Sequence, residues 1–324
     1  MRPLRFIKMS KTAFLFPGQG SQSVGMGHEL ASSFPAARRT FEEANDALGF
    51  DLAALCFHGP EHQLRLTEFT QPAIFTLSVA VLRVLAATGA TADYFAGHSL
   101  GEYSANVAAG ALDFTSAVRA VRRRGQLMQE AVPAGEGAMA AILGMAAEDV
   151  FAACRDASAD TGTVVEPANL NSPEQTVISG SVVAVERAAC LARERGAKRA
   201  VMLQVSAPFH CSLMQPAQDA LAPILEGIPF QPAQAPVVVN VDAKLVTGPA
   251  ELRDALVRQV TGAVRWTESV QLLIDQGVTT FVEVGPGRVL SGLLRQIDRR
   301  QRCLQVEDPA SLEKALASSQ SSES

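Results

Sequence analysis

The sequence has few cysteines and places none of them close together. Its five cysteines are scattered, and no Cys-x-x-Cys spacing occurs. Neither a zinc site nor a disulfide framework is therefore indicated, and buried free thiols are expected. Basic residues are also fewer than acidic ones: the sequence has 28 Lys and Arg and 33 Asp and Glu, which gives a net charge of −5. This balance argues against a nucleic-acid-binding protein, which normally carries a basic excess.

Long uninterrupted apolar runs are missing as well. None reaches the roughly 18 residues that predict a membrane-spanning helix. The basic residues near the N-terminus are followed by a short apolar run, residues 13–16, which is too short for the hydrophobic region of a signal peptide. We therefore expect a cytoplasmic protein that does not contact a membrane.

Nucleotide-binding signatures are lacking too. A glycine-rich turn at residues 17–22, Pro-Gly-Gln-Gly-Ser-Gln, follows a predicted strand and precedes a helix predicted to begin near Met26. Ligands often meet backbone amides at such a position, although a purely structural turn explains it equally well. The turn has neither the G-x-G-x-x-G spacing nor a Walker lysine, so we do not predict nucleotide binding.

The composition, with 48% hydrophobic and 19% charged residues, favours a well-buried α/β core. The predicted order over residues 134–205 is β-α-β-β-α-β, the ferredoxin-like unit. We expect this unit to be inserted as a small subdomain into a large hydrolase-like α/β domain with a parallel sheet, residues 12–133 and 206–305. The cleft between them is the expected ligand site. The termini, residues 1–11 and 317–324, are expected to be flexible.

The pattern that organises the chain is Gly-His-Ser-Leu-Gly at residues 97–101. It follows a short apolar run and precedes a helix-compatible segment. A strand, a tight turn with serine at its apex and a helix form the layout of a nucleophile elbow. Two glycines allow the strand and the helix to approach closely. Ser99 is therefore a candidate nucleophile, although a bare G-x-S-x-G pattern also occurs in structural turns.

An activated serine needs a base within hydrogen-bond reach. His98 is the immediate neighbour of Ser99, and adjacent side chains on an elbow usually diverge. His210 lies in the loop that returns from the inserted unit, so it is the better candidate. The alternative for His210 is a structural histidine whose hydrogen bonds are satisfied.

A cluster of arginines lies on the helix predicted over residues 114–128. Arg122 and Arg124 flank the two borders of its apolar stripe, so periodicity alone does not decide which of them reaches a site. A solvated helix face is the alternative for the whole cluster.

Seven short motifs, in this order, make the sequence resemble a known family. They are Pro-Gly-Gln-Gly-Ser-Gln (17–22), Thr-Gln-Pro-Ala (70–73), Gly-His-Ser-Leu-Gly-Glu (97–102), Arg-Gly-Gln-Leu-Met (124–128), Asn-Ser-Pro (171–173), Pro-Phe-His (208–210) and Val-Glu-Val-Gly-Pro-Gly (282–287). Together they resemble the malonyl-CoA:acyl carrier protein transacylases of fatty acid and polyketide synthesis. The resemblance covers residues 12–297 and implies the same α/β fold with its inserted subdomain.

The resemblance implies roles for five residues in the chemistry. Ser99 would become a malonyl ester, and His210 would take its proton and later return it to the leaving thiol. The backbone carbonyl of Gln259 would orient His210, and the backbone amides of Gln19 and Leu100 would form the oxyanion hole.

The resemblance also implies a substrate site. Arg124 would hold the malonyl carboxylate through paired hydrogen bonds, which decides between Arg122 and Arg124. His98, Phe209 and Asn171 would contact the substrate, and Phe209 would crowd an α-methyl group. We therefore expect a preference for malonyl over methylmalonyl, with leakage.

The implied partners are malonyl-CoA and the phosphopantetheine thiol of a holo acyl carrier protein, with no cofactor and no metal. The enzyme is expected to be a monomer. A candidate basic patch for an acidic carrier comprises Arg193, Arg195, Lys198 and Arg199. The alternatives are an acyl hydrolase or thioesterase on the same fold, disfavoured by Arg124, and a non-catalytic scaffold, disfavoured by the intact set of reactive residues.

Overall fold

The computed structural model describes residues 11–205 and 207–320, and within them ten strands form two separate sheets. The strands in chain order are β1 (Lys11–Phe16), β2 (Tyr94–Gly97), β3 (Gly137–Leu143), β4 (Val165–Ser172), β5 (Gln175–Ser181), β6 (Arg199–Met202), β7 (Val237–Val239), β8 (Lys244–Val246), β9 (Val278–Val284) and β10 (Arg302–Val306).

Fourteen α-helices lie in the same described ranges. They are α1 (His28–Ser33), α2 (Pro35–Leu48), α3 (Leu52–His58), α4 (Glu61–Leu64), α5 (Thr67–Ala87), α6 (Gly101–Ala108), α7 (Phe114–Glu130), α8 (Ala147–Thr161), α9 (Val182–Glu194), α10 (Gln215–Glu226), α11 (Pro249–Arg258), α12 (Trp266–Asp275), α13 (Val289–Ile297) and α14 (Pro309–Gln320). The helix expected near Met26 therefore begins at His28.

The six-stranded sheet has the order β10-β9-β1-β2-β7-β8. Its neighbouring strands are parallel except for β8, which runs antiparallel to β7. Alternate residues of β1 enter different cores: Phe14 and Phe16 pack on one side, and Ala13 and Leu15 on the other. A parallel sheet covered on both faces is the architecture expected of an α/β fold, which confirms the predicted fold class.

The four-stranded sheet has the order β4-β5-β3-β6, and its neighbouring strands are antiparallel. Its chain order, β3-α8-β4-β5-α9-β6, is the predicted ferredoxin-like one. Ile142, Val150, Ile178 and Val185 belong to a separate apolar core between this sheet and its helices. The small sheet therefore buries its own apolar surface.

Backbone hydrogen bonds fasten the small sheet to the segment that leads into α12. The amide of Leu170 donates to the carbonyl of Val264 at 2.9 Å, and the amide of Val264 donates to the carbonyl of Ala168 at 2.8 Å. Because Ala168 and Leu170 belong to β4, this edge strand of the small sheet is tied to a segment of the large α/β part of the chain.

Helix α5 departs from the expectation that no apolar segment reaches membrane-spanning length. It has 21 residues and is long and apolar enough to cross a bilayer, but 78% of its most apolar 18-residue window is buried inside the protein. Helix α5 packs against α2 and α7. Its apolar character is therefore that of a central core helix.

The C-terminal helix, α14, continues to Gln320, so residues 317–320 of the tail predicted to be flexible are helical. Asp308 accepts a hydrogen bond from the amide of Ser311 at 2.7 Å, and Leu312 and Ala315 are buried. Once such a turn is nucleated and packed, each following residue adds one helical hydrogen bond. Residues 1–10 and 321–324 lie outside the described ranges.

Candidate active site

The predicted elbow is present between β2 and α6. A Cβ atom on Gly97 would lie 1.9 Å from the carbonyl carbon of Gly101, and one on Gly101 would lie 2.1 Å from the carbonyl oxygen of Phe16. Only glycine therefore allows the strand and the helix to cross at this distance. Ser99 at the apex has a φ of 51°, a left-handed conformation that is costly for a residue with a Cβ.

Asn240, which directly follows β7, holds this strained turn. Its Oδ1 accepts a hydrogen bond from the amide of Ser99 at 2.7 Å, and its Nδ2 donates to the carbonyl of Gly97 at 2.7 Å. Asn240 is fully buried. Nothing in the sequence marks this residue, because a single asparagine after a short apolar run carries no recognisable pattern.

The structure brings Ser99 and His210 together, although 111 positions separate them in the chain. The Oγ of Ser99 lies 2.7 Å from Nε2 of His210. Nδ1 of His210 lies 2.9 Å from the carbonyl oxygen of Gln259 and 3.2 Å from that of Gly262. Carbonyl oxygens only accept, so Nδ1 carries the ring hydrogen and Nε2 is free to accept the hydroxyl proton of Ser99.

The surroundings of His210 keep its imidazole neutral. Burial, followed by the positive charge of Arg124, lowers the pKa of His210 to about 3. The two carbonyl acceptors on Nδ1 oppose this shift only in part. At neutral pH the ring is therefore unprotonated, which is the state that a proton acceptor requires.

Arg124 of α7 is buried, with 1% exposure, and lies directly beside the serine. Its Nη2 donates to Oγ of Ser99 at 3.1 Å and to Oε1 of Gln259 at 2.9 Å, and its Nη1 donates to Oε1 of Gln71 at 2.8 Å. Among the described residues its Nε has no acceptor. A guanidinium with an unused donor therefore faces the nucleophile.

Arg122, which periodicity could not separate from Arg124, lies elsewhere. Its guanidinium packs between the rings of Phe50 and Phe69, with ring-centre distances of 4.5 and 4.6 Å, and pairs with Glu68 at 3.0 Å. Tertiary packing therefore turns one arginine of α7 into the cavity and stacks the other on aromatic rings.

A polar network that the sequence analysis missed lies beneath the elbow. Glu102 is fully buried, and its Oε2 accepts from Nε2 of Gln259 at 2.8 Å and from the amide of Asn240 at 2.9 Å. Burial raises the pKa of Glu102 to about 7, although these bonds and Arg124 oppose the rise. The side chain of Gln259 thus joins Glu102 to Arg124, while its carbonyl contacts His210.

A cavity of about 120 Å³ is lined by Ser99, Arg124 and His210. Its lining combines the reactive side chains with apolar ones: Gln19, Gln71, His98, Ser99, Leu100, Arg124, Met128, Met139, Asn169, Leu203, Val205, Phe209 and His210. Met139 and Asn169 come from strands of the small sheet, and Gln19 and His98 come from the turns that follow β1 and β2 of the large sheet, so the cavity lies where the two parts of the chain meet.

Gln19 and Leu100, the predicted oxyanion-hole residues, flank Ser99 in this cavity. Leu100 stands at the N-terminus of α6, and Gln19 lies in the turn after β1. Among the described residues, neither backbone amide donates to a protein acceptor. Two amides are thus left available beside the nucleophile, as stabilisation of an oxyanion requires.

The other predicted substrate residues lie in two positions. His98 and Phe209 line the cavity. Asn171 instead lies behind His98, with its Oδ1 2.8 Å from Nε2 of that ring. It is not among the cavity-lining residues, so in this structure it positions His98 rather than facing the cavity.

The described residues offer no cluster of three or more His, Cys, Asp or Glu that could hold a metal ion. All five cysteines are free. Cys211, which follows His210, is buried, and burial raises the pKa of its thiol to about 11. This thiol is therefore protonated at neutral pH and is not poised to act as a nucleophile.

Comparison with known families agrees with this geometry. The model of the acyl transferase domain family matches residues 13–308 of the chain. The chain belongs to the acyl transferase family. Ser99, His210 and Arg124 all lie within the matched range.

Several members of the acyl transferase family are similar over nearly their whole length. The malonyl CoA-acyl carrier protein transacylase of Bacillus subtilis is 52% identical over 95% of this chain and 97% of its own. That of Escherichia coli K12 is 50% identical over 95% and 99%. These relatives confirm the resemblance predicted from the seven motifs.

Solved structures show the same similarity. An acyl carrier protein S-malonyltransferase from Vibrio cholerae superposes with a TM-score of 0.92 at 50% identity, over 94% of this chain and all of the other. A malonyl-transacylase in complex with its holo type II polyketide synthase acyl carrier protein superposes with a TM-score of 0.93 at 50% identity, over 95% and 100%.

Proposed function

We propose that the chain transfers a malonyl group from malonyl-CoA to the phosphopantetheine thiol of an acyl carrier protein, through an ester on Ser99. The observation that carries this proposal is the buried guanidinium of Arg124 at 3.1 Å from the Ser99 hydroxyl. Its unused Nε lies on the same edge of the guanidinium as Nη2, and such an edge accepts a carboxylate through two parallel hydrogen bonds. A simple ester hydrolase has no need of a buried cation there.

In the first half-reaction, Oγ of Ser99 attacks the thioester carbonyl as its proton moves to Nε2 of His210. The amides of Gln19 and Leu100 stabilise the oxyanion, and the loss of one such donor costs about 3–4 kcal/mol of transition-state stabilisation. Collapse of the intermediate breaks the carbon–sulfur bond, and the departing CoA thiolate takes the proton from His210. The malonyl ester of Ser99 remains.

The second half-reaction runs the same steps in reverse. The carrier thiol enters the cleft, gives its proton to His210 and attacks the ester carbonyl. Reprotonation of Ser99 then releases malonyl-carrier protein. The similarity to a transacylase that forms a complex with an acyl carrier protein supports this assignment of the acceptor. No step calls for a cofactor or a metal.

The same proposal includes the division of the chain into two domains, the oligomeric state and the cellular compartment. Residues 134–205 would form the inserted subdomain, and residues 12–133 and 206–305 the large domain, to which α14 is added because it packs on β10. The two would meet at the cleft that holds the substrate. We expect the enzyme to act as a monomer in the cytoplasm, where malonyl-CoA and carrier protein would be its substrates.

Two of the four basic residues in the proposed carrier-docking patch on the small subdomain form ion pairs with neighbouring acidic residues. Arg195 pairs with Asp156 at 2.5 Å, and Lys198 pairs with Glu174 at 3.3 Å. Surface pairs of this kind reduce the local positive charge. Arg193 and Arg199 are exposed, so they would supply most of the attraction for an acidic carrier.

Intact-protein mass spectrometry tests the proposed function. The wild-type protein is mixed separately with malonyl-CoA, acetyl-CoA and methylmalonyl-CoA. We expect a malonyl adduct that is absent in Ser99→Ala and that disappears when holo carrier protein is added, with malonyl-carrier as the product. Free malonate without carrier acylation would instead indicate a hydrolase, and no reaction with any thioester would indicate a scaffold.

A further inference from the structure

The Ser99 hydroxyl is shared between a base and a cation. Its oxygen lies 2.7 Å from Nε2 of His210 and accepts a hydrogen bond from Nη2 of Arg124 at 3.1 Å. One oxygen atom therefore separates an imidazole that must gain a proton from a guanidinium that already carries a charge. Both side chains are buried, Arg124 at 1% and His210 at 4% exposure, so little solvent screens the repulsion between them.

The contact between Arg124 and Ser99 opposes catalysis in two respects. The cation disfavours a proton on His210, which is the state that forms when Ser99 is deprotonated. The hydrogen bond from Arg124 also occupies a lone pair of Oγ of Ser99, the atom that must attack, and so makes it less nucleophilic. Both effects end when the guanidinium turns its donors to a carboxylate and its charge is balanced.

We infer that Arg124 restrains His210 as a base until the carboxylate of a bound malonyl group neutralises the guanidinium, so that the substrate completes the activation of Ser99. This inference rests on the proposed function and adds to it a source of selectivity. An acyl group without a carboxylate would enter the same cavity but would leave the charge of Arg124 uncompensated. Discrimination would then arise in the acylation step as well as in binding.

Charges on the other neighbouring elements do not supply this control. His98 is the other titratable ring near His210, and burial lowers its pKa so that it too is neutral. Glu102 of α6 reaches the site through Gln259, and its first contacts are Gln259 and the amide of Asn240. Of the charged groups on these elements, only Arg124 touches the oxygen that His210 also contacts.

Burial and the Arg124 charge act on His210 in the same direction, lowering its pKa to about 3. Arg124 and His210 are separated by the single oxygen of Ser99. Neutralising the buried charge of Arg124 at this short distance should raise the pKa of His210 by about one to two pH units. The rise should follow the carboxylate of the ligand, because CoA itself is common to all the thioesters compared.

The test is an NMR pH titration of the five histidines, labelled with ¹⁵N, in full-length Ser99→Ala, which binds thioesters without being acylated. The His210 signal is identified by its loss in Ser99→Ala/His210→Gln. We expect saturating malonyl-CoA, but not saturating acetyl-CoA, to raise the pKa of His210. Adding Arg124→Gln should raise the pKa in the free protein and abolish the response to malonyl-CoA. Arg123→Gln, on the exposed side of the same helix, is the matched control and should keep the response.

The outcomes separate this inference from the proposed function. Equal pKa values with the two thioesters, in a protein whose wild type forms the malonyl ester, would overturn the inference and leave the transacylase assignment intact. Absence of the malonyl ester in the wild type would remove both. A response confined to malonyl-CoA and dependent on Arg124 would establish the inference.

Discussion

Gln259 holds Arg124 through a single side-chain oxygen, 2.9 Å from Nη2. The same residue orients His210, but through its main-chain carbonyl. Substitution can therefore separate the two contacts, because a change of side chain leaves the carbonyl in place. The proposed roles of Arg124 and His210 can therefore be tested independently at this one position.

We expect Gln259→Ala to lower kcat/KM for malonyl-CoA by about 10- to 100-fold, because it removes a hydrogen bond to a buried charged group. The pH midpoint of acylation should stay within a few tenths of the wild-type value, since the bond to Nδ1 of His210 is retained. Steady-state kinetics across pH measure both quantities. Gln271→Ala, an exposed glutamine of α12, is the control, and a shifted midpoint with unchanged kcat/KM would contradict the expectation.

Glu102 should make stability depend on pH. Its pKa is about 7 in the folded protein and near 4.5 when exposed, so the folded state binds the proton more tightly. The stabilisation is present below pH 4.5 and is lost as pH rises through 7, by up to about 3 kcal/mol. A glutamine at position 102 has a side-chain oxygen that can still accept the hydrogen bonds from Nε2 of Gln259 and the amide of Asn240. We therefore expect the free energy of unfolding of Glu102→Gln, measured by urea unfolding, to fall less between pH 5 and 8 than that of the wild type. An equal fall in the two proteins would contradict this expectation.

The elbow glycines should tolerate no side chain. Gly101→Ala would place a Cβ 2.1 Å from a backbone oxygen, which requires the helix or strand to move, so we expect a loss of several kcal/mol and of acylation. Gly292 in α13 has no atom within 4 Å of the equivalent position. Gly292→Ala should therefore leave activity unchanged and stabilise by about 0.5–1 kcal/mol. Similar thermal midpoints for the two variants would argue against a close crossing at the elbow.

Phe209 should set the preference among acyl groups. It lines the cavity and is 8% exposed, so an α-methyl group would press against it. We expect Phe209→Ala to raise the kcat/KM ratio of methylmalonyl-CoA to malonyl-CoA by about 10- to 100-fold, the range that one methyl group supports. Competition between the two thioesters measures this ratio directly. An unchanged ratio would place selection elsewhere in the cavity.

Carrier recognition should depend on Arg193 and Arg199, the two residues of the proposed docking patch that form no ion pair with another described residue. We expect the double variant Arg193→Glu/Arg199→Glu to raise KM for the carrier protein severalfold, more so at low salt, because exposed charges are screened by salt. KM for malonyl-CoA should not change, which is the internal control. An unaltered carrier KM would remove this patch as the docking surface.

The sequence predicts the parts of this site that depend on local chain geometry. The elbow around Ser99 and the inserted sheet follow from turn glycines and from the order of periodic segments. The network of Glu102 and Gln259 does not, because its partners lie 157 positions apart and carry no repeating pattern. Arg122 and Arg124 are likewise equivalent by periodicity; the family motif selects Arg124, and the packing of Arg122 on Phe50 and Phe69 agrees with that choice. The composition of the tail after Leu316 predicts a flexible segment and does not reveal that α14 continues to Gln320, because Leu312 and Ala315, which are buried, precede that tail.

The strand order has a consequence for synthesis of the protein on the ribosome. β1 pairs with β9, residues Val278–Val284, so one edge of the first strand made stays unpaired until most of the chain has emerged. Gly262, whose carbonyl contacts His210, is also synthesised late. Ser99 is therefore synthesised well before its contacts with the C-terminal third can form, and during that interval one edge of β1 is open to pairing with other strands.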